Sequence, residues 1–252
     1  IKNHVFQIVA LIAMEPPTSL EPNSVRDEKV RAMRSVRALP TDRVDEFAAR
    51  GQYGPGTVLG DTVPGYREEP GVDPQSSTET FAALKLQFAN WRWADVPFYL
   101  RSGKRMPKRL TEIAIQFKAV PHQLFTESDT PLQPNALVIR IQPNEGITLR
   151  FGAKLPGQAM RIRWVNMDFR YGASFGVKAP EAYERLLLDC MLGDSTLYAR
   201  RDMVERGWEI VSPILDAWGE PAAGFPNYAA GSWGPRSSFA LIEQDGRSWR
   251  KL

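Results

Sequence analysis

The chain has 252 residues, of which 43% are hydrophobic and 24% charged, values typical of a folded globular protein. This composition excludes a disordered tail, a collagen-like repeat and a disulfide-rich scaffold. The net charge of +3 is too small to indicate a nucleic-acid-binding protein. The only histidines, His4 and His122, and the only cysteine, Cys190, lack the spacing of metal ligands, so no metal site is predicted.

Two helices are predicted near the N-terminus. Residues 1–14 are apolar almost all the way round, which predicts a helix that is buried on every side and ends before Pro16. This run has no polar N-cap and no initiator Met and is too short to cross a membrane, so we expect the chain to be part of a longer protein. A second helix is expected to start at Ser24, with Asp27 closing a capping box, and to stop before Pro40.

The middle of the chain has the period of two that is typical of half-buried strands. Before it, residues 51–74 are rich in Gly and Pro and predict a long loop. Alternating apolar residues then predict strands over residues 84–88, 97–100, 111–118, 137–142, 147–151 and 160–164. Because only loops connect them, we expect a large, mostly antiparallel sheet with helices packed on its apolar face and a polar face left uncovered.

Helical periodicity returns at the C-terminal end. A helix that begins at residues 180–181 and is closed by Gly193 has an apolar face that includes Cys190, so this cysteine is predicted to be an inert core residue. A further helix starts near Asp202, and a short last helix follows Pro235. The sequence therefore predicts the α+β class.

Three short motifs do not support the chemistry they suggest. Residues 172–176 match the G-x-S-x-G of hydrolases, but no histidine follows Ser174 to complete a triad. Residues 54–59 lack the third glycine of a dinucleotide-binding loop, and Gly103-Lys104 is followed by Arg rather than the Ser or Thr of a P-loop. No nucleotide-binding loop is predicted in this sequence.

Two candidate functional features remain. A basic cluster at residues 101–109 follows a predicted strand, where cations can converge on a phosphate or carboxylate, although such a run is more often a solvated turn. His4 is the other candidate, because an imidazole with a pKa of about 6.5 can act as a general base at neutral pH. The alternative for His4 is a hydrogen-bonded core histidine.

Longer motifs occur in a fixed order along the whole chain. They include Asn3-His4 before an apolar helix, VRDEKV at 25–30, RGQY at 50–53, NWRW at 90–93, VPFYLRSGK at 96–104, IQPNE at 141–145, EAYERL at 181–186 and YAAGSWGP at 228–235. Together they resemble the glucose-6-phosphate dehydrogenase family. The resemblance implies that residues 1–252 are its C-terminal substrate-binding and dimerisation domain, with an NADP-binding Rossmann domain before Ile1.

The resemblance implies a reaction and a site. The family oxidises D-glucose 6-phosphate to 6-phosphogluconolactone, the first step of the oxidative pentose phosphate pathway, with hydride transfer to NADP. By resemblance His4 is the catalytic general base, Lys104 and Arg109 are substrate-binding cations that help to hold the anionic sugar phosphate, and Gln142 lies near the same ligand. No cofactor-binding residue is expected within this chain.

The resemblance also implies a cytoplasmic homodimer or tetramer that pairs through the polar sheet face, without a nucleic-acid or membrane partner. The family's nucleotide loop and the Asp that orients its catalytic histidine are absent from this sequence, so we expect the chain alone to be inactive. The alternative is a non-catalytic oligomerisation or regulatory module with the same fold. His122 has no assigned role.

Overall fold

A computed structural model describes residues 4–122, 134–157, 161–176, 182–219 and 224–250. The chain divides into two compact units. We call the first, Ile1–Pro107 with Ala182–Lys251, the core unit. We call the second, Lys108–Glu181 with Leu252, the sheet unit.

The described elements confirm the α+β class. In chain order they are α1 (Val5–Ala13), α2 (Pro22–Arg34), β1 (Ala48–Gly51), β2 (Tyr53–Gly54), β3 (Gly56–Val58), β4 (Asp61–Val63), β5 (Phe81–Leu86), β6 (Phe98–Gly103), β7 (Thr111–Gln116), β8 (Ala136–Gln142), β9 (Gly146–Lys154), β10 (Ile162–Arg170), α3 (Tyr171–Phe175), α4 (Ala182–Leu192), α5 (Arg201–Ala217), β11 (Tyr228–Ala229) and α6 (Arg236–Glu243). Two short 3₁₀ helices cover Thr41–Glu46 and Tyr66–Glu68.

The core unit is built on a three-stranded antiparallel sheet in the order β1-β5-β6. Side chains alternate along β5, so Leu84 and Leu86 join one cluster while Phe81 and Ala83 join another. The first cluster contains residues of α1, α2 and α5, and the second contains Leu241 of α6. Helices therefore cover both faces of this sheet, and the prediction of helices on one face only is wrong for the core unit.

Helix α1 is buried on one side only, although its sequence is apolar all round. Phe6, Val9, Ala10 and Ala13 are buried, but Leu11 is 51% exposed. The prediction of burial on every side is therefore wrong, because the described part of the chain packs against one side of the helix.

Helix α2 begins two residues earlier than predicted. Pro22 occupies the first turn, where its missing N–H costs nothing, and the Ser24 hydroxyl bonds Ser19 instead of capping the helix. The predicted capping box is therefore wrong. The helix ends at Arg34, and the chain then pairs Val36 with Phe88 in an antiparallel bridge.

The Gly- and Pro-rich segment 51–74 is not one long loop, as predicted, but contains short strands. Strands β3 and β4 form a hairpin, and β2 pairs in parallel with β11. Two glycines allow this close packing: a Cβ on Gly56 would lie 2.1 Å from the Ala230 carbonyl oxygen, and one on Gly231 would lie 1.9 Å from that of Thr57. At both positions glycine therefore allows two segments of the backbone to be in direct contact.

The sheet unit is a four-stranded antiparallel sheet in the order β10-β9-β8-β7. The predicted strands are present, but they belong to two sheets rather than the one large sheet expected. The strand register gives the sheet one apolar side, which we call the apolar face. It includes Ile113, Ile115, Leu137, Ile139, Ile147, Leu149, Val165 and Met167. The other side, the polar face, includes Glu112, Val138, Arg140, Thr148, Arg150 and Asp168.

Helix α4 is exposed where burial was predicted. Tyr183, Leu187 and Met191 are each more than 60% exposed, and Cys190 is an exposed free thiol. The prediction that Cys190 is a core residue is therefore wrong within the described structure, because no described element covers this face of α4. The predicted closure by Gly193 is confirmed by its left-handed φ of 73°. No described helix is both long and apolar enough to cross a membrane.

Candidate functional site

The basic cluster begins where β6 ends and the chain turns at residues 103–107, which we call the Lys104 turn. Both peptide groups that flank the Cα of Lys104 are fixed by hydrogen bonds. The Lys104 N–H donates to the Thr80 carbonyl oxygen at 2.8 Å, and the Tyr228 hydroxyl donates to the Lys104 carbonyl oxygen at 2.9 Å. The backbone of Lys104 is therefore held while its side chain is exposed to solvent.

Tyr228 reaches this turn from an aromatic cluster. Its ring makes edge contacts with those of Tyr53 and Phe81, with centroids 6.3 and 5.7 Å apart, and the residue is only 6% exposed. Burial raises the pKa of Tyr228 to about 12. The hydroxyl therefore keeps its proton at neutral pH and remains a donor to the Lys104 turn.

Arg105 holds the other side of the turn. It has a left-handed φ of 52°, a conformation that costs a residue other than glycine about 1–2 kcal/mol. Its carbonyl oxygen accepts from the Gly231 N–H at 2.7 Å, and its guanidinium donates to the Glu69 carboxylate at 2.7 Å. Glu69 also accepts from the Tyr53 hydroxyl at 2.8 Å. The hydrogen bonds from Arg105 and then Tyr53 lower the pKa of Glu69, which stays ionised at neutral pH.

The five cations of the basic cluster differ in what they contact. The Arg101 guanidinium lies over the indole rings of Trp233 and Trp249, 5.0 and 4.6 Å from their centroids, and Arg105 is paired with Glu69. By contrast, three exposed side chains make no hydrogen bond or ion pair with the described residues: Lys104, Lys108 and Arg109. The structure thus separates structural cations from those that remain available to an anion, and the predicted Lys104 and Arg109 are in the second group.

His4 stands at the start of α1. Its carbonyl oxygen accepts from the Ile8 N–H at 3.2 Å, while its imidazole is exposed and makes no hydrogen bond with the described residues. His4 is therefore not the hydrogen-bonded core histidine that was the alternative. The structure places His4 and Lys104 in the core unit and Arg109 in the sheet unit.

The remaining candidate residues have separate surroundings. Gln142 is exposed at the end of β8 and donates to the Thr111 hydroxyl at 3.0 Å, whereas His122 is exposed and has no assigned role. Among the described residues no group of His, Cys, Asp and Glu could hold a metal ion. The segment 54–59 lies in the short strands β2 and β3, so it is not the strand-to-helix turn of a dinucleotide site.

Three residues of the site were missed by the sequence analysis: Glu69, Thr80 and Tyr228. They lie 36, 24 and 124 positions from the residues of the Lys104 turn that they contact, and no local pattern relates them. Two signals were present in the sequence: Tyr228 opens the YAAGSWGP motif, and Thr80 lies in TETFAA at 78–83, a further motif of the resemblance; neither residue was given a role.

Comparison with known proteins identifies relatives over the whole chain. Residues 1–250 match the family described as glucose-6-phosphate dehydrogenase, C-terminal domain. The chain is 46% identical to glucose-6-phosphate 1-dehydrogenase of Chlamydia pneumoniae and 47% identical to that of Aggregatibacter actinomycetemcomitans, over 100% and 99% of its own length. It spans about half the length of these curated relatives, 49% and 50% respectively.

Solved structures show the same fold. A crystal structure of glucose-6-phosphate 1-dehydrogenase from Mycobacterium avium matches the whole chain and 50% of its own, with a TM-score of 0.82 and 35% identity. A structure of glucose-6-phosphate dehydrogenase in complex with its substrate glucose-6-phosphate matches 99% of the chain and 50% of its own, with a TM-score of 0.85 and 36% identity. Both matches span the core unit and the sheet unit.

Proposed function

This chain belongs to the family of glucose-6-phosphate dehydrogenase C-terminal domains, and we propose that it supplies the substrate-binding and general-base half of an enzyme that oxidises D-glucose 6-phosphate to 6-phosphogluconolactone with NADP as hydride acceptor. The observation that carries this proposal is the Lys104 turn. Its backbone is fixed by Thr80 and Tyr228, and its ammonium has no partner among the described residues. A free cation on a rigid turn suits a phosphate dianion, because little freedom is lost on binding.

Arg109 and His4 are each given a separate role in this proposal. Arg109 offers a guanidinium fork, which matches the geometry of phosphate oxygens. His4 takes the proton of the substrate C1 hydroxyl as the C1–H bond breaks and the C1–O bond becomes a carbonyl. An exposed imidazole without a partner among the described residues is free to approach a substrate hydroxyl, and imidazole is the side chain that most often acts as a general base.

NADP is not held by a dinucleotide-binding loop in the described part of this chain. The described strands form antiparallel pairs apart from the short β2–β11 pair, and none of the described Gly-rich segments joins a parallel strand to a helix. We therefore limit the part of this chain in the reaction to the proton at C1 and to the phosphate.

The sheet unit is proposed to pair with a second copy of the chain through its polar face. Charged residues of both signs lie on this side, with Glu112 opposite Arg140, and the Thr148 hydroxyl donates to Asp168 at 2.5 Å. Val138 is buried among them. The charged and polar side chains around it can form the hydrogen bonds that an interface between two copies requires.

The function is tested with two proteins. The chain alone, mixed with glucose 6-phosphate and NADP, should form no NADPH. Joined to the unmatched half of the A. actinomycetemcomitans relative, it should do so, and His4→Asn in this chimaera should lower kcat by about 10²–10⁴ with little change in KM. An active chimaera in which His4→Asn retains full kcat would overturn the role of His4. A folded chimaera without activity would favour the non-catalytic module.

A further inference from the structure

Tyr228 and Thr80 together control the backbone on both sides of Lys104. Thr80 accepts from the Lys104 N–H through its carbonyl oxygen, and its hydroxyl lies 3.0 Å from the Tyr228 hydroxyl, which donates to the Lys104 carbonyl oxygen. Thr80 and Tyr228, which contact each other, therefore hold the two peptide groups of Lys104 together. Because the two peptide planes fix the Cα–Cβ direction, they also fix the direction in which the lysine side chain leaves the turn.

Tyr228 cannot move away from this position easily. Its ring is buried between Tyr53 and Phe81, and β11 pairs with β2 directly beside it. A Cβ on Gly234 would lie 2.5 Å from the Phe81 ring, so the segment after β11 is packed tightly against the same cluster. The hydroxyl is thus the polar tip of a rigid apolar group.

We infer that Tyr228 is a positioning residue for substrate phosphate binding: its hydroxyl orients Lys104 without touching the substrate. This inference rests on the proposed function, since it requires that Lys104 binds the phosphate. The Arg105–Glu69 pair supports the same turn from the other side, but it does so through a side chain that solvent reaches. Tyr228 is buried, and it acts directly on the Lys104 peptide group.

The test compares Tyr228→Phe with Tyr99→Phe in the active chimaera. Tyr99 is a matched control, because its hydroxyl donates to Asp245, its pKa is also raised to about 12 by burial, and its side chain makes no hydrogen bond or ring contact with the described residues of the Lys104 turn. We expect Tyr228→Phe to raise KM for glucose 6-phosphate by about three- to tenfold, the effect of one hydrogen bond, with kcat and KM for NADP unchanged. Tyr99→Phe should lower Tm without raising this KM.

Lys104→Met separates the inference from the proposed function. Lys104→Met should raise KM for glucose 6-phosphate, and adding Tyr228→Phe to it should raise KM no further, since the two residues act through one interaction. If Lys104→Met leaves KM unchanged, the proposed phosphate site is wrong. If Lys104→Met raises KM and Tyr228→Phe does not, the positioning role of Tyr228 is overturned.

A second measurement uses the 252-residue chain itself and does not depend on activity. Glucose 6-phosphate is titrated into wild-type, Tyr228→Phe and Tyr99→Phe chains while amide resonances are followed by NMR. Tyr228→Phe should weaken binding and speed amide exchange at Lys104 and Arg105, and Tyr99→Phe should do neither. Equal affinity of the wild-type and Tyr228→Phe chains contradicts the inference.

Discussion

The two units of this chain bury their apolar residues to very different degrees. In the core unit the three-stranded sheet has helices on both faces, and residues such as Leu86 and Ala83 are completely buried. In the described part of the sheet unit, Val138 is the one buried large hydrophobic residue, and Met167 on the apolar face is 63% exposed. The core unit can therefore hold a turn rigidly, whereas the sheet unit has two faces that can receive other surfaces.

The units also differ in charge, which the small net charge of the whole chain conceals. Residues 108–181 include ten basic and six acidic side chains, a net charge of +4, so the rest of the chain has a net charge of −1. Positive charge is therefore concentrated on the unit with the open sheet. It favours anionic ligands there and opposes close approach of two identical sheet units.

The largest expected effect follows from the difference in burial between the core unit and the sheet unit. Phe88→Ala in the core unit removes a ring that is 1% exposed and lies 4.5 Å from the ring of Phe98, and should lower the free energy of unfolding by about 3–5 kcal/mol. Met167→Ala in the sheet unit should lower it by less than about 1 kcal/mol. Urea unfolding measures both. Equal losses at the two positions would contradict the contrast between the units.

The next prediction concerns the two faces of the sheet unit. Arg150 lies on the polar face, with its guanidinium 5.2 Å from the centroid of the Trp164 ring. Arg150→Glu replaces the guanidinium that lies over Trp164 with a carboxylate that cannot stack there, which alters the proposed interface and should weaken the dimer by about tenfold or more, as measured by sedimentation velocity. Met167→Glu on the opposite face is the control and should leave the dimer intact. Dissociation by Met167→Glu alone would assign pairing to the apolar face.

A smaller effect is expected from pH at the Lys104 turn. The pKa of Glu69 in the folded chain lies below its ordinary value of 4.5, so its bonds with Arg105 and Tyr53 stabilise the fold fully above that value. This contribution is lost as the pH falls through the lowered folded-state pKa. The wild-type Tm should therefore fall more on acidification than that of Glu69→Gln, which has no carboxylate to protonate. Parallel Tm curves for the two proteins would show that this pair does not stabilise the turn.

The smallest expected effect is that of salt on pairing. Since each sheet unit has a net charge of +4, repulsion between two copies should weaken as ionic strength rises and screens it. The dimer dissociation constant should fall by a few-fold between about 0.05 and 0.5 M salt. A dissociation constant that rises with salt would indicate that attractive ion pairs dominate the interface.

Local patterns predicted most elements but not how they pack. The period of two predicted the positions of β5 to β10, because the two faces of each strand have different surroundings and apolar and polar residues alternate along its sequence accordingly. Apolar patterns gave wrong predictions of burial for α1 and for Cys190 of α4. An apolar sequence does not show which parts of the structure are available to cover a helix. The loop prediction for segment 51–74 was wrong because this segment packs against backbone far away along the chain, through the contacts of Gly56 with Ala230 and of Thr57 with Gly231.

The site was predictable to the same limited extent. The run of cations at 101–109 indicated the turn on which the proposed phosphate site lies, and resemblance selected His4, Lys104 and Arg109. The sequence could not show which cations are already engaged, because their partners, Glu69, Trp233 and Trp249, are 36 or more positions away. The identity of the free cations depends on the tertiary structure.

The central claim is that Lys104 binds the substrate phosphate, and the most direct measurement is the preference of the active chimaera for glucose 6-phosphate over glucose. The ratio of their kcat/KM values isolates the phosphate, because glucose lacks only this group. Lys104→Met should lower the ratio by about ten- to a hundredfold, as expected for one charge-assisted hydrogen bond, while the low activity on glucose persists. An unchanged ratio would contradict the account.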